Sequence, residues 1–294
     1  MIGEILREGF KVWRGNVAAG IPFFLGMLSN YVILVLFLLL ILGMLDSALN
    51  LAPGDVSQEY INGIMREVAS RWKLLALVGA AAFLIAFSIN CFFMAAGIRL
   101  CFDAIESRFS LGRAFSYART KFLSFLAANL VVFAIVMGGF LAIVLLPVIP
   151  LVKFPLSDER IMAIGLMVIL SMLIAIIYLA IVVFVFTFVP YAIIVDNLKA
   201  FEGIKKAVRT LRRGIGETIG MWAIVSVLYI LYTLPFYPLK ALGDVGELTS
   251  TILIGLLGSF VVAPLTSMWW ILLYVKLGEG NRNNFSHPND FIGK

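Results

Sequence analysis

Apolar residues in this chain come in long unbroken runs, with polar residues confined to the short segments between them. Six stretches contain no Asp, Glu, Lys, Arg or His. They lie between Arg14 and Asp46, Lys73 and Arg99, Lys121 and Lys153, Arg160 and Asp196, Glu217 and Lys240, and Glu247 and Lys276. Their lengths are 31, 25, 31, 35, 22 and 28 residues, dominated by Leu, Ile, Val, Phe and Ala. A hydrocarbon core of about 30 Å is crossed by roughly 20 helical residues rising about 1.5 Å each. The pattern predicts an all-α polytopic membrane protein with six transmembrane helices.

A second pattern precedes each outgoing span. Ile2, Ile5, Leu6, Gly9, Phe10 and Trp13 recur at helical spacing, as do Ala200, Ile204, Ala207, Val208 and Leu211, with basic residues on the opposite face. Such a helix lies in a membrane interface. When Gly9, Ala114 and Ala207 are aligned, Arg14, Arg119 and Arg212 fall five positions later, and Asp103 and Asp196 fall eleven before the second and third. The reading is one transmembrane domain, 1–277, followed by a polar cytoplasmic tail, 278–294. The domain divides into three repeats of about 1–98, 99–195 and 196–277, each an interfacial elbow helix plus a transmembrane hairpin. At the outer ends, Asp244 with Glu247 suggests a capping box, Ser157 with Asp158 and Glu159 opens the fourth span, and 56–72 suggests a short separate amphipathic helix.

Composition agrees with the pattern. At 62% hydrophobic and 14% charged, the chain lies outside the soluble range and leaves no room for a soluble domain. The four segments on one side of the spans carry 17 Lys/Arg and 9 acids, against 6 and 8 on the other. The positive-inside rule then places both termini in the cytoplasm of a multi-pass cell-membrane protein, with the first span an uncleaved signal anchor. The net charge of +6 follows from that asymmetry and does not indicate nucleic-acid binding. Cys91 and Cys101, ten residues apart on one helix, are separated by about 15 Å, too far for a disulfide.

Little in the spans can do chemistry. They hold no ionisable side chain of the kind that marks proton relays, no paired acidic motif and no Ser–His pair. The single histidine, His287, rules out a histidine-rich metal site. No catalytic, cofactor or metal residue is assigned, and a non-enzymatic role is expected. Asn30 and Asn90 sit at matched depth on neighbouring antiparallel spans. They could tie the hairpin by an interhelical hydrogen bond or, with Ser29 and Ser88, form the polar floor of a small-molecule or lipid pocket. Pro190 and Pro264 should kink their spans. The basic faces are candidates for lipid headgroups: Arg7, Lys11 and Arg14; Arg113, Arg119 and Lys121; Lys205, Lys206, Arg209, Arg212 and Arg213. Topology anchoring alone would also explain them.

The stretch Val189-Pro190-Tyr191-Ala192-Ile193-Ile194-Val195-Asp196, the segment 203–214 and the opening Leu6-Arg7-Glu8-Gly9-Phe10 resemble the membrane domain associated with glycerophosphodiester phosphodiesterases and its stand-alone prokaryotic relatives. That resemblance implies a six-helix membrane fold covering most of the chain. It implies no phosphodiesterase activity, because no catalytic domain accompanies it. Mitochondrial carriers also have three repeats, but their Pro-x-Asp/Glu-x-x-Lys/Arg signature is missing. Two functions are expected from this reading. One is a membrane protein that binds or organises lipids, anionic ones included, or anchors a partner protein. The other is a permease subunit moving a hydrophobic or amphipathic solute, powered by a separate ATPase.

Overall fold

The computed structural model describes the backbone of residues 1–44, 58–145 and 158–279, and among these every regular element is helical. Helix α1 (Ile2–Gly15) leads through a 3₁₀ turn (Val17–Gly20) into α2 (Ile21–Met44). Helices α3 (Gln58–Ile105) and α4 (Leu111–Leu145) follow, then α5 (Asp158–Val185) and the short α6 (Val189–Val195). Helix α7 (Ala200–Arg213) precedes α8 (Ile215–Thr233), a 3₁₀ turn (Leu234–Phe236) and α9 (Tyr237–Lys240). The last span is α10 (Asp244–Leu257), a π turn (Gly258–Val262) and α11 (Ala263–Glu279). Six of these helical stretches are long and apolar enough to cross a membrane.

Local sequence explains where the basic segments separate from the spans. Asn16 ends α1 at φ −139°, ψ 50°, and Gly214 ends α7 at φ −141°, ψ 50°, so two of the three basic segments are independent helices with the same exit geometry. The second is not. Arg119-Thr120-Lys121 contains no breaker, and α4 runs from Leu111 straight through the span, about 52 Å in all. The expected separate elbow there is the first two turns of a longer helix.

The amphipathic segment expected at 56–72 differs in a similar way. From Gln58 onward it is continuous with the second span in a 48-residue helix, where Arg71 Nη1 caps the Met44 carbonyl of α2 at 2.6 Å. The expected capping box at Asp244 is replaced by Gly243, whose φ of 76° supplies the turn without a side-chain cap. Val56, Ser157 and the tail beyond Glu279 lie outside the described residues.

Burial is concentrated at the end of the bundle that carries the basic segments. There α3, α6 and α11 converge through Ile98, Leu100, Cys101, Ile193, Ile194, Met268, Ile271 and Leu273, all at most a few per cent exposed. Small residues on α3 also let α2 approach closely: a Cβ on Gly97 would fall 2.6 Å from Phe23 Cζ. Toward the other end the helices expose long apolar rows, such as Leu166, Ile169, Leu173 and Ile176 of α5. A surface this apolar requires lipid around it.

Both expected proline sites interrupt their spans. Pro190 follows a three-residue break between α5 and α6, and Pro264 follows the π turn. Each break is held by a tryptophan. Trp222 Nε1 donates to Thr187 Oγ1 at 3.0 Å, and Trp13 Nε1 donates to the Phe260 carbonyl at 3.3 Å.

Candidate functional site

Three corners at the basic end join a span returning to that end to a basic helix through an ion pair. At the first, Asp103 at the end of α3 is fully buried and lies 2.9 Å from Arg99 Nη2 and 3.8 Å from Arg113 Nε. At the second, Asp196 follows α6, lies 3.9 Å from Lys206 Nζ and accepts a 2.5 Å hydrogen bond from Tyr274. In both, the cation stands ten residues after the carboxylate. At the third, Lys276 of α11 meets Glu4 of α1 at 3.7 Å, so the last span closes against the first helix. That closure is reinforced by Trp269, whose Nε1 donates to the Leu6 carbonyl at 3.2 Å and whose ring lies directly against Gly9.

Asp103 falls in the charged segment between the second and third charge-free runs. It is nonetheless the interior end of a network, because α3 continues six residues past Arg99, to Ile105, in the packed core. A buried carboxylate persists only when compensated, and Arg99 supplies the charge. The Arg99 guanidinium in turn sits 4.4 Å from the Tyr117 ring centre. Tyr117 donates to the Ile194 carbonyl at 3.0 Å, and Lys121 donates to the Asn197 carbonyl at 2.8 Å. Asn197 holds a left-handed conformation, φ 56°, that presents this carbonyl to α4. The i, i+4 spacing of Arg99 and Asp103 was the signal available in the sequence.

The structure sorts the eleven candidate cations into two groups. Arg113, Lys121 and Lys206 are engaged within the protein. The other eight, Arg7, Lys11, Arg14, Arg119, Lys205, Arg209, Arg212 and Arg213, are exposed and have no hydrogen-bond or ion-pair partner among the described residues. On α1 the free cations stand at 7, 11 and 14, and on α7 at 205, 209 and 212, the same one-face spacing. Buried residues occupy the opposite faces: Ile5 and Gly9 on α1, and Gly203, Ala207, Thr210 and Leu211 on α7. The corresponding positions of α4 are Gly112, Ser116 and Arg119, so Arg119 alone remains there.

Arg119 borders a lateral groove. Helix α3 forms its floor with Ser88, Phe92 and Phe93; α2 contributes Ser29 to one wall, and α4 contributes Arg119 and Phe122 to the other. The groove has a volume of about 460 Å³, is open to the side and is lined chiefly by apolar atoms. Ser29 also bonds back to the Leu25 carbonyl at 2.8 Å, so its hydroxyl proton is satisfied within the helix. Ser29 and Ser88 thus line a common cavity. Asn30 and Asn90 do not join them there. Both are exposed, and no hydrogen bond ties them among the described residues. Phe92 and Phe122 were not singled out in the sequence, since isolated phenylalanines in apolar runs carry no local signal.

No solved structure matches the chain. An "Uncharacterized protein" of Archaeoglobus fulgidus is 29% identical over 289 residues, covering 93% of this chain and 95% of that relative. Residues 25–276 match the domain of unknown function DUF7847, a stretch from the first span to the end of the sixth. The chain therefore belongs to the DUF7847 family.

Proposed function

We propose that the protein is a non-enzymatic, multi-pass cell-membrane protein that binds and organises anionic lipid at the cytoplasmic leaflet through its basic helices. The observation that carries this reading is the eight exposed cations without a partner among the described residues, six of which form matching stripes on α1 and α7. Had the basic residues served only to stabilise the fold, they would be paired as Arg113 and Lys206 are. Each free cation near an anionic headgroup layer contributes about 1 kcal/mol. The three ion-paired corners support a threefold internal organisation, in which the third unit's span closes on the first unit's helix. The charge asymmetry supports cytoplasmic termini.

The test uses the full-length protein reconstituted in phosphatidylcholine vesicles containing spin-labelled phosphatidylglycerol. The wild type enriches the anionic lipid at its surface. Replacing Arg7, Lys11, Arg209 and Arg212 by Gln lowers that enrichment by several-fold without altering thermal unfolding. Equal enrichment in wild type and variant would sink the reading.

A second reading, a permease subunit driven by a separate ATPase, draws on the interrupted fourth and sixth spans, since discontinuous helices line substrate paths in transporters. Here both interruptions are packed in the core and held by Trp222 and Trp13. Co-purification of an ATPase with the native protein would favour this alternative.

A further inference from the structure

We infer that the groove between α2 and α4 is a binding site for one phospholipid of the cytoplasmic leaflet. Arg119 takes its phosphate, and one hydrocarbon chain lies along Phe92 and Phe122 toward Ser88. The site is distinct from the headgroup contacts of α1 and α7 and does not depend on them.

Depth along the helices carries the argument. Arg119 stands two residues before Lys121, the last charge ahead of the charge-free run of the third span. Such a run marks the hydrocarbon, about 30 Å across, so Arg119 sits in the headgroup layer at its edge. Ser88 lies 11 residues before Arg99, the first charge after the charge-free run of α3, about 16 Å along the axis. Ser29 faces the same groove from the charge-free run of α2. The groove thus reaches about 16 Å inward from the level of the flanking charges, close to the thickness of one hydrocarbon leaflet.

The chemistry of the lining agrees with that placement. The mouth holds one guanidinium, and no described carboxylate is within ion-pairing distance of it. Its floor is aromatic: Phe92 contacts Phe93 and Phe122 edge-to-face, at centroid distances of 5.5 and 6.2 Å. A cation at headgroup height above an apolar channel is complementary to a phosphate attached to a chain, and to neither part alone. The walls are also fixed in place. Tyr117 and Lys121, which flank Arg119 on α4, are hydrogen-bonded to the Ile194 and Asn197 carbonyls, so the guanidinium is presented from a braced helix. Guanidinium–phosphate pairing can be bidentate, giving geometry as well as charge.

The experiment uses the full-length protein in phosphatidylcholine vesicles with a phosphatidylglycerol probe bearing a diazirine in one acyl chain. Photolabelled sites are mapped by mass spectrometry. Labelling is expected to concentrate on peptides containing Phe92 and Phe122. Arg119→Gln should lower it by about fivefold, the equivalent of one cation near a charged surface, and Arg119→Lys should largely restore it. Ser88→Leu, which obstructs the floor with Arg119 intact, should lower it as well.

Labelling spread evenly over the exposed rows of α5 and the groove would overturn the proposal. So would groove labelling indifferent to Arg119→Gln, or labelling abolished equally by a soluble phosphate ester without a chain. Neutralising Arg7, Lys11, Arg209 and Arg212 leaves groove labelling intact if the two sites are independent. Loss of surface enrichment and loss of groove labelling are thus read separately.

Discussion

The indole Nε1 of Trp13 donates to the carbonyl oxygen of Phe260, 247 residues away and 3.3 Å distant. In an α-helix that carbonyl would accept from residue 264, which here is proline and has no N–H. Helix α1, at the start of the chain, thus supplies a donor that Pro264 cannot. In an apolar environment an unpaired carbonyl is expensive, so this bond ties closure of the bundle to the π turn.

Trp13→Phe keeps the ring packing and removes the donor. We expect a loss of about 1–2 kcal/mol, the usual penalty for a stranded buried acceptor, measured by unfolding of the detergent-solubilised protein. In a Pro264→Ala background the helix can supply its own donor, and Trp13→Phe should then be nearly neutral. Equal effects in both backgrounds would show that the carbonyl is not what Trp13 serves.

Gly20 meets Phe260 at its backbone, where an added Cβ would lie 2.7 Å from Phe260 Cα. Neither chain can yield by rotating a side chain. Gly20→Ala should destabilise by about 1–3 kcal/mol through overpacking, whereas Gly3→Ala, with nothing within 4 Å of its Cβ position, should be neutral or slightly stabilising. Unfolding transitions of the two variants side by side give the comparison.

Asp103 is the buried charge on which the first corner depends. Asp103→Asn leaves Arg99, only 18% exposed, without its counter-charge, and should destabilise by about 3 kcal/mol. The double replacement of Asp103 by Leu and Arg99 by Met should recover part of that loss, because both desolvation penalties vanish together. A single replacement that melts at the wild-type temperature would remove the corner from the list of structural determinants.

Asn30 and Asn90 make no hydrogen bond to one another. Asn30→Leu and Asn90→Leu, singly or together, should change stability by less than about 0.5 kcal/mol, the range of ordinary surface substitutions. A double-mutant coupling above about 0.6 kcal/mol would instead indicate the interhelical tie.

Read along the chain, the six spans, the interruptions at Pro190 and Pro264 and two of the three expected elbow helices are already legible, while the elbow at Leu111 merges with its span. Each follows from one-body or local physics: transfer of side chains to lipid, 3.6-residue periodicity, and a proline's missing donor. The sequence also set Asn30 and Asn90 at one depth, because rise per residue is constant. Tertiary structure decided what these elements do to one another. It buried Asp103, occupied Arg113, Lys121 and Lys206 while leaving eight cations without a partner among the described residues, and set Arg119 over an apolar groove while leaving Asn30 and Asn90 apart. Lipid is as apolar as leucine, so hydropathy cannot choose which faces of the helices meet. That choice rests on small residues such as Gly9, Gly20 and Gly97 and on the few long-range hydrogen bonds that close the bundle, none of which announces its partner along the chain.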